Sequence, residues 1–447
     1  MRHVLTSTRV RNFCSHASRA GLVALSALSI CSIASAATFC VKQAYPACKS
    51  TISAAVAAAA PGDTINVAAG TYKEQVTITQ SISLIAQGDA VFIDATGHSN
   101  GILINGMAAA PNPGVADVLI SGFNVRNANY EGILVVNATD ITLAGNHVSG
   151  NNKSLDVAGQ ACPGIPAFET NEQSDCGEGI HLMAVDHSIL MNNESFDNSG
   201  GLLITDETGP SYDNVIKDND IHENGYACGI TMASHGPATS VIPTAKVSFG
   251  IMHNTIAHNT SWNNGLLLPG AGAGVGIFAP FPGTTSTANV VVDNTLRGNG
   301  LPGVTMHNHQ AASSPAPAVN LNDNVIVGNH FSNNAADLGD AATPGPTGIN
   351  LFSKAPVTGT VIAQNVFDDE AVDIAFNAPA GQINAHFNDF SASAMGIDNL
   401  GKGTVNATSN WWHCPTGPTG SGCTTVSGIG VAYTPHLSSP YIFDNPW

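Results

Sequence analysis

A short unit, Asn-x-apolar-x-x-Asn, followed after a gap by Gly-apolar-x-apolar, recurs along the chain and narrows its possible folds more than any other feature. It occupies residues 146–151, 219–224, 254–259, 294–299 and 324–329. The glycine element recurs at Gly101, Gly132, Gly179, Gly201, Gly229, Gly276, Gly303 and Gly348, each followed by Ile, Leu or Val. Gly179 and Gly201 are 22 residues apart. Longer steps, up to 47 residues, hold either one coil with a large loop or two coils.

Each unit reads as a short strand, a turn and another strand, and none can bury its apolar side alone. Stacking solves this: parallel strands of successive coils pair at about 4.8 Å, and inward Ile, Val and Leu merge into one core. Asn at the turns suits a left-handed backbone and can hydrogen-bond the Asn of the next coil. The expected fold is all-β, a parallel β-helix solenoid. An Ala-rich helix within residues 49–60 would cap its first coil, because an uncovered end exposes core and strand edges. The organisation expected is a removable leader over 1–36, the cap and first coil over 37–72, the solenoid over 73–400 and a closing segment over 401–447.

The leader carries four arginines and no acid, then an apolar stretch over 20–33, and ends at Ala34-Ser35-Ala36, so cleavage between Ala36 and Ala37 and export to the periplasm or medium are expected. The remainder holds 10 Lys+Arg against 32 Asp+Glu, a balance of −22. Such a chain is unsuited to nucleic acid, which needs a basic surface, and no membrane insertion is expected. Seven cysteines remain, and in an oxidising compartment the short spacings favour Cys40 with Cys48, Cys162 with Cys176 and Cys414 with Cys423, which leaves Cys228 over.

With its repeats, the opening segment at 61–72 and the late Asn410-Trp-Trp-His-Cys414, the chain resembles the pectin-lyase-like superfamily of right-handed parallel β-helices, including NosD-type repeat proteins. That resemblance implies right-handed coiling. It transfers no catalytic residue, because the combined set of Asn-Thr-Asp, Asp-Asp, Gly-His-Gly and Arg-Ile-Lys of the polygalacturonase-like members is not present as a set, and the Asp-Pro-His motif of the mannuronan epimerases is absent.

Stacking brings equivalent positions together, so residues can be counted from each repeat glycine. Six beyond Gly201, Gly229, Gly303 and Gly348 stand Glu207, His235, His309 and Lys354. Asp206 lies one place earlier, His307 follows Gly303 by four, and His181 follows Gly179 by two, just after Glu178. This titratable stripe makes Glu178, His181, Asp206, Glu207 and His235 candidate acid–base residues and His307, His309 and Lys354 candidate substrate contacts. The loops 162–176, 269–276 and 311–318 would wall a groove beside it. Pointing outward, Glu207 and His235 would each be replaceable at under about 1 kcal/mol. The function expected is a monomeric carbohydrate-active protein that cleaves or epimerises a polysaccharide laid along one face. Its acid excess favours a neutral glycan, or an acidic one bridged by Ca²⁺. The alternative is a non-catalytic glycan-binding, adhesion or metal-handling protein.

Overall fold

The computed structural model describes residues 36–447 apart from 43–44, 159–160, 170–175, 312–316, 340–342, 344, 391–394 and 442–447. The leader and most of the 311–318 loop therefore lie outside the described residues. Every pairing between named strands is parallel, in one 28-stranded sheet that wraps two sides of the coil and one 10-stranded sheet that forms the third. The chain folds as a right-handed parallel β-helix.

Each long glycine step is one coil carrying a loop. Ile133 pairs with Ile180 across the step of 47 residues, and Ile180 pairs with Leu202 across the step of 22. One repeat glycine differs from the sequence pattern. Ile230 pairs with Val275, so the repeat glycine of that coil is Gly274, whereas Gly276 lies within strand Val275–Phe278 opposite Thr231. A Cβ on Gly276 would sit 2.5 Å from the Phe278 ring. Only glycine leaves that ring its place.

Fully buried Ile, Val and Leu fill the interior from Val41 to Val405, joined by stacked aromatics such as Phe331 and Phe367 with ring centroids 4.9 Å apart. The helix Ile52–Val56 lies near the N-terminal end, capped by Thr51 and by Glu74, which accepts from the Ile52 and Ser53 backbone N–H groups at 2.9 Å each. In the closing segment, Thr404–Asn406 and Thr425–Gly428 still pair onto preceding coils.

The repeated asparagines form continuous buried ladders. The backbone N–H and the Nδ2 of Asn193 both donate to Asn219 Oδ1, at 2.9 and 3.0 Å, and Asn219 does the same to Asn259. The left-handed backbone falls one residue before the ladder asparagine, at Asn192, Asp218 and His258, with φ near 55°. The left-handed turn and the ladder bond, both expected of one Asn, are divided between neighbours. Three cysteine pairs, 40–48, 162–176 and 414–423, are disulfides, and Cys228 is buried outside them. Alkylation of unreduced, denatured protein should therefore label Cys228 alone by mass mapping, and label on a second cysteine after residue 36 would refute this pairing.

One ladder passes from asparagine to a carboxyl group. Glu370 Oε1 accepts from the Asn334 backbone N–H at 3.2 Å and from its Nδ2 at 2.9 Å. Burial pushes the Glu370 carboxyl up to about 7, although both Asn334 hydrogen bonds oppose the rise. A group protonated more readily folded than unfolded contributes stability that is complete below the ordinary glutamate range and is lost as pH rises through about 7. Denaturant unfolding at pH 5 and pH 8 should show this loss, on the order of 3 kcal/mol at most. Glu370→Gln, which keeps the acceptor without the titration, should reduce the difference, with Asp206 supplying a loss of the same sign, and an unchanged pH slope in that variant would contradict the assignment.

Candidate functional site

The predicted stripe lies on one side of the coil, but the structure divides it into a closed cluster and an open cleft. Its frame is a set of register columns. Leu134, His181, Leu203, Thr231, Gly276, Thr305 and Asn350 follow one another across successive coils, and Phe278, His307 and Phe352 form the column two residues on. Alternation along each strand turns both columns away from the core, which holds Ile180, Ile230 and Val304 instead.

In the closed cluster, His235 Nδ1 lies 2.6 Å from Glu207 Oε1, with both side chains 1 % exposed. This is the neighbouring-coil contact that the glycine count anticipates. His181 Nε2 is 2.9 Å from Thr205 Oγ1, and His181 Nδ1 is 3.7 Å from Glu131 Oε1. Asp206 accepts from Ser234 Oγ and from the backbone N–H groups of His235 and Gly250, which fastens the 234–250 segment to the coil. Glu178 is buried just before Gly179, with its Oε1 near Gly200.

The electrostatics follow from burial. Desolvation, reinforced by the charge of Glu207, pushes the Asp206 carboxyl up to about 7 against its backbone hydrogen bonds. Burial also raises Glu207, but the charge and hydrogen bond of His235 outweigh it and hold Glu207 below its ordinary range. Glu207 and His235 are thus a carboxylate–imidazole pair taken out of water.

Loops from distant parts of the chain cover this cluster. The disulfide-closed 162–176 loop, of which 170–175 lie outside the described residues, is tied by Tyr130 Oη donating to the Pro163 carbonyl at 2.7 Å and by Ser240 Oγ donating to that of Ala167 at 3.2 Å. Its Phe168 packs on the outward patch of Leu134, Val136 and Met183, and the next residue, Glu169, is buried beside Glu131 and His181. The five candidate acid–base residues Glu178, His181, Asp206, Glu207 and His235 are all at most 2 % exposed, so they lie beneath the loops and not along an open groove.

The open cleft lies farther along the same side. It encloses about 710 Å³ and is lined by Tyr226, Phe278, Phe281, His307, His309 and Asp337 among others, with the 270–272 segment at its edge. Asp337 Oδ2 is 3.1 Å from His307 Nε2 and accepts from Asn350 Nδ2 at 2.9 Å. His307 is tilted against Phe278 and His309, with ring centroids 5.7 and 5.5 Å away. Of the three expected substrate contacts, His307 and His309 line the cleft, whereas Lys354 is exposed outside the lining and its backbone N–H donates to the Asn308 carbonyl.

Sequence reasoning missed Glu131, Glu169, Thr205 and Asp337. Glu131 had a usable signal, since it precedes Gly132 as Glu178 precedes Gly179. Glu169 and Asp337 had none, because both sit on loops outside the repeat.

A model described as right-handed beta helix region matches residues 82–249. No curated protein matches the sequence. Among solved structures, the chain is similar to Dettilon tailspike protein (gp208), with TM-score 0.54 and 15 % identity over 83 % of this chain and 62 % of that one. It is also similar to DFA-IIIase from Arthrobacter chlorophenolicus A6 without its lid, solved in complex with GF2, with TM-score 0.51 and 13 % identity over 91 % of this chain and 99 % of that one. The chain thus spans less than two thirds of the tailspike. At these identities the likeness is one of fold, that of right-handed parallel β-helix proteins.

Proposed function

We propose that this is a secreted carbohydrate-active enzyme that carries out acid–base chemistry on a glycan held in the open cleft. The observation that carries the reading is the cleft's combination of aromatic rings with the His307–Asp337 pair. Its volume lies in the range of small-molecule sites. Tyr226, Phe278 and Phe281 offer apolar area to the C–H faces of sugar rings. Asp337 orients the His307 imidazole and stabilises its protonated form, the arrangement a general base needs. Hydrolysis by paired acids calls for two carboxyl groups across the bond, and Asp337 is the single carboxylate among the described lining residues. Proton abstraction from a sugar carbon by His307, leading to elimination or epimerisation, fits this lining better. Three disulfides support export, and no helix among the described residues is long and apolar enough to cross a membrane.

Incubation with a panel of neutral and uronate-containing polysaccharides tests the proposal, with unsaturated ends, reducing ends and epimer ratio all followed. Product from at least one glycan is expected. Retention of a glycan with no product from any would replace the enzyme with a binding protein, and neither product nor retention would remove carbohydrate altogether.

A further inference from the structure

We infer that Glu131, Glu169 and His181 form a binding site for a divalent transition-metal ion beneath the disulfide-closed loop. One ligand atom from each residue lies within 4.8 Å of the other two, and the residues are 1, 5 and 2 % exposed. They arrive from three separate segments: the residue before a repeat glycine, the loop, and the strand Ile180–Asp186.

The spacing between His181 and Glu131 carries the most information. At 3.7 Å, His181 Nδ1 and Glu131 Oε1 are too far apart for a hydrogen bond. Two ligands that share one metal at about 2.0–2.2 Å from each stand roughly 3–4 Å apart, which matches. The other ring nitrogen supports this. Thr205 Oγ1 lies 2.9 Å from His181 Nε2 and can hold the ring with Nδ1 turned to the carboxylates, as outer-shell partners do for metal-binding histidines.

The chemistry of the group suits a cation. Two carboxyl groups, Glu131 and Glu169, are buried here with His181, and no lysine or arginine is buried among the described residues. A divalent ion between Glu131 and Glu169 would meet both carboxylates, and it would fasten the loop that carries Glu169 to the coil. One imidazole with two carboxylates suits Zn²⁺ or Mn²⁺, whereas Ca²⁺ takes six to eight oxygens. The site is separate from the His307–Asp337 cleft and does not depend on the reading of that cleft.

The experiment strips the disulfide-intact protein with a chelator, then follows Zn²⁺, Mn²⁺ and Ca²⁺ by titration calorimetry, metal analysis and thermal unfolding. One equivalent of Zn²⁺ or Mn²⁺ is expected, with about a 100-fold shift of the unfolding equilibrium at a free-ion concentration 100 times Kd. Glu169→Gln should weaken binding by at least about tenfold. Glu194→Gln, in the surface group with His147 and His222, should leave it unchanged. Because Glu169 sits on the loop, that variant is expected to keep the coil folded, and far-UV circular dichroism checks this. Absence of a stoichiometric ion in the wild type, preference for Ca²⁺, wild-type affinity in folded Glu169→Gln or loss of binding in Glu194→Gln would each overturn the assignment. If Glu169→Gln does not fold, the wild-type titration alone decides.

Discussion

Turnover on the responsive glycan is expected to fall by about 10² to 10⁴ when His307 is replaced with Ala, the range for loss of a participating acid or base. The His307 side chain is 12 % exposed and faces the cleft, so its removal touches the reacting region more than the core. Asp337→Asn separates charge from shape. Its amide oxygen can still accept from Asn350 Nδ2, but the negative charge beside the imidazole is gone, so turnover should drop with little change in KM. His147→Ala and His330→Ala serve as controls. Their partners Glu194 and Asp368 lie 2.6 Å away on the 10-stranded sheet, on another side of the coil. Initial rates within twofold of wild type in both His307→Ala and Asp337→Asn would place the chemistry elsewhere.

How much of this was legible depends on which forces leave a mark in the sequence. The coil is written plainly, because each ladder asparagine and each repeat glycine must recur for the stack to close. Even so, Gly274 was hidden behind Gly276. Both are followed by an inward apolar residue, Val275 or Ile277, and a slip of two residues preserves the strand's alternation. The Glu207–His235 contact was legible by counting from Gly201 and Gly229, since neighbouring coils place equal offsets side by side. Its burial was not. The segment after His235 is held down by the Asp206 anchor on Gly250 and by the tie from Ser240 to Ala167, and neither obeys the repeat. Asp337 stayed hidden for the same reason, reaching His307 from a loop whose sequence carries no period.

The covered state of that pair reverses the stability expectation. Glu207→Ala and His235→Ala are each expected to destabilise the protein by about 3–5 kcal/mol at pH 7, the range for removing one partner of a buried ion pair. The survivor cannot be rehydrated without opening the segment that Asp206 holds, and the two side chains now share a single 2.6 Å contact. The double replacement should cost less than the sum of the two, because it leaves no stranded charge, and the shortfall measures the coupling. The pH dependence has a definite sign. Glu207 is held below its ordinary range, so its contribution is present above the unfolded glutamate range and is lost as pH falls through the folded value. Acidification should therefore unfold the wild type more steeply than the double variant. Urea unfolding at pH 7 and at pH 4 would read both effects. Single replacements costing under about 1 kcal/mol would mean that water reaches the pair and that the loops covering it are open in solution.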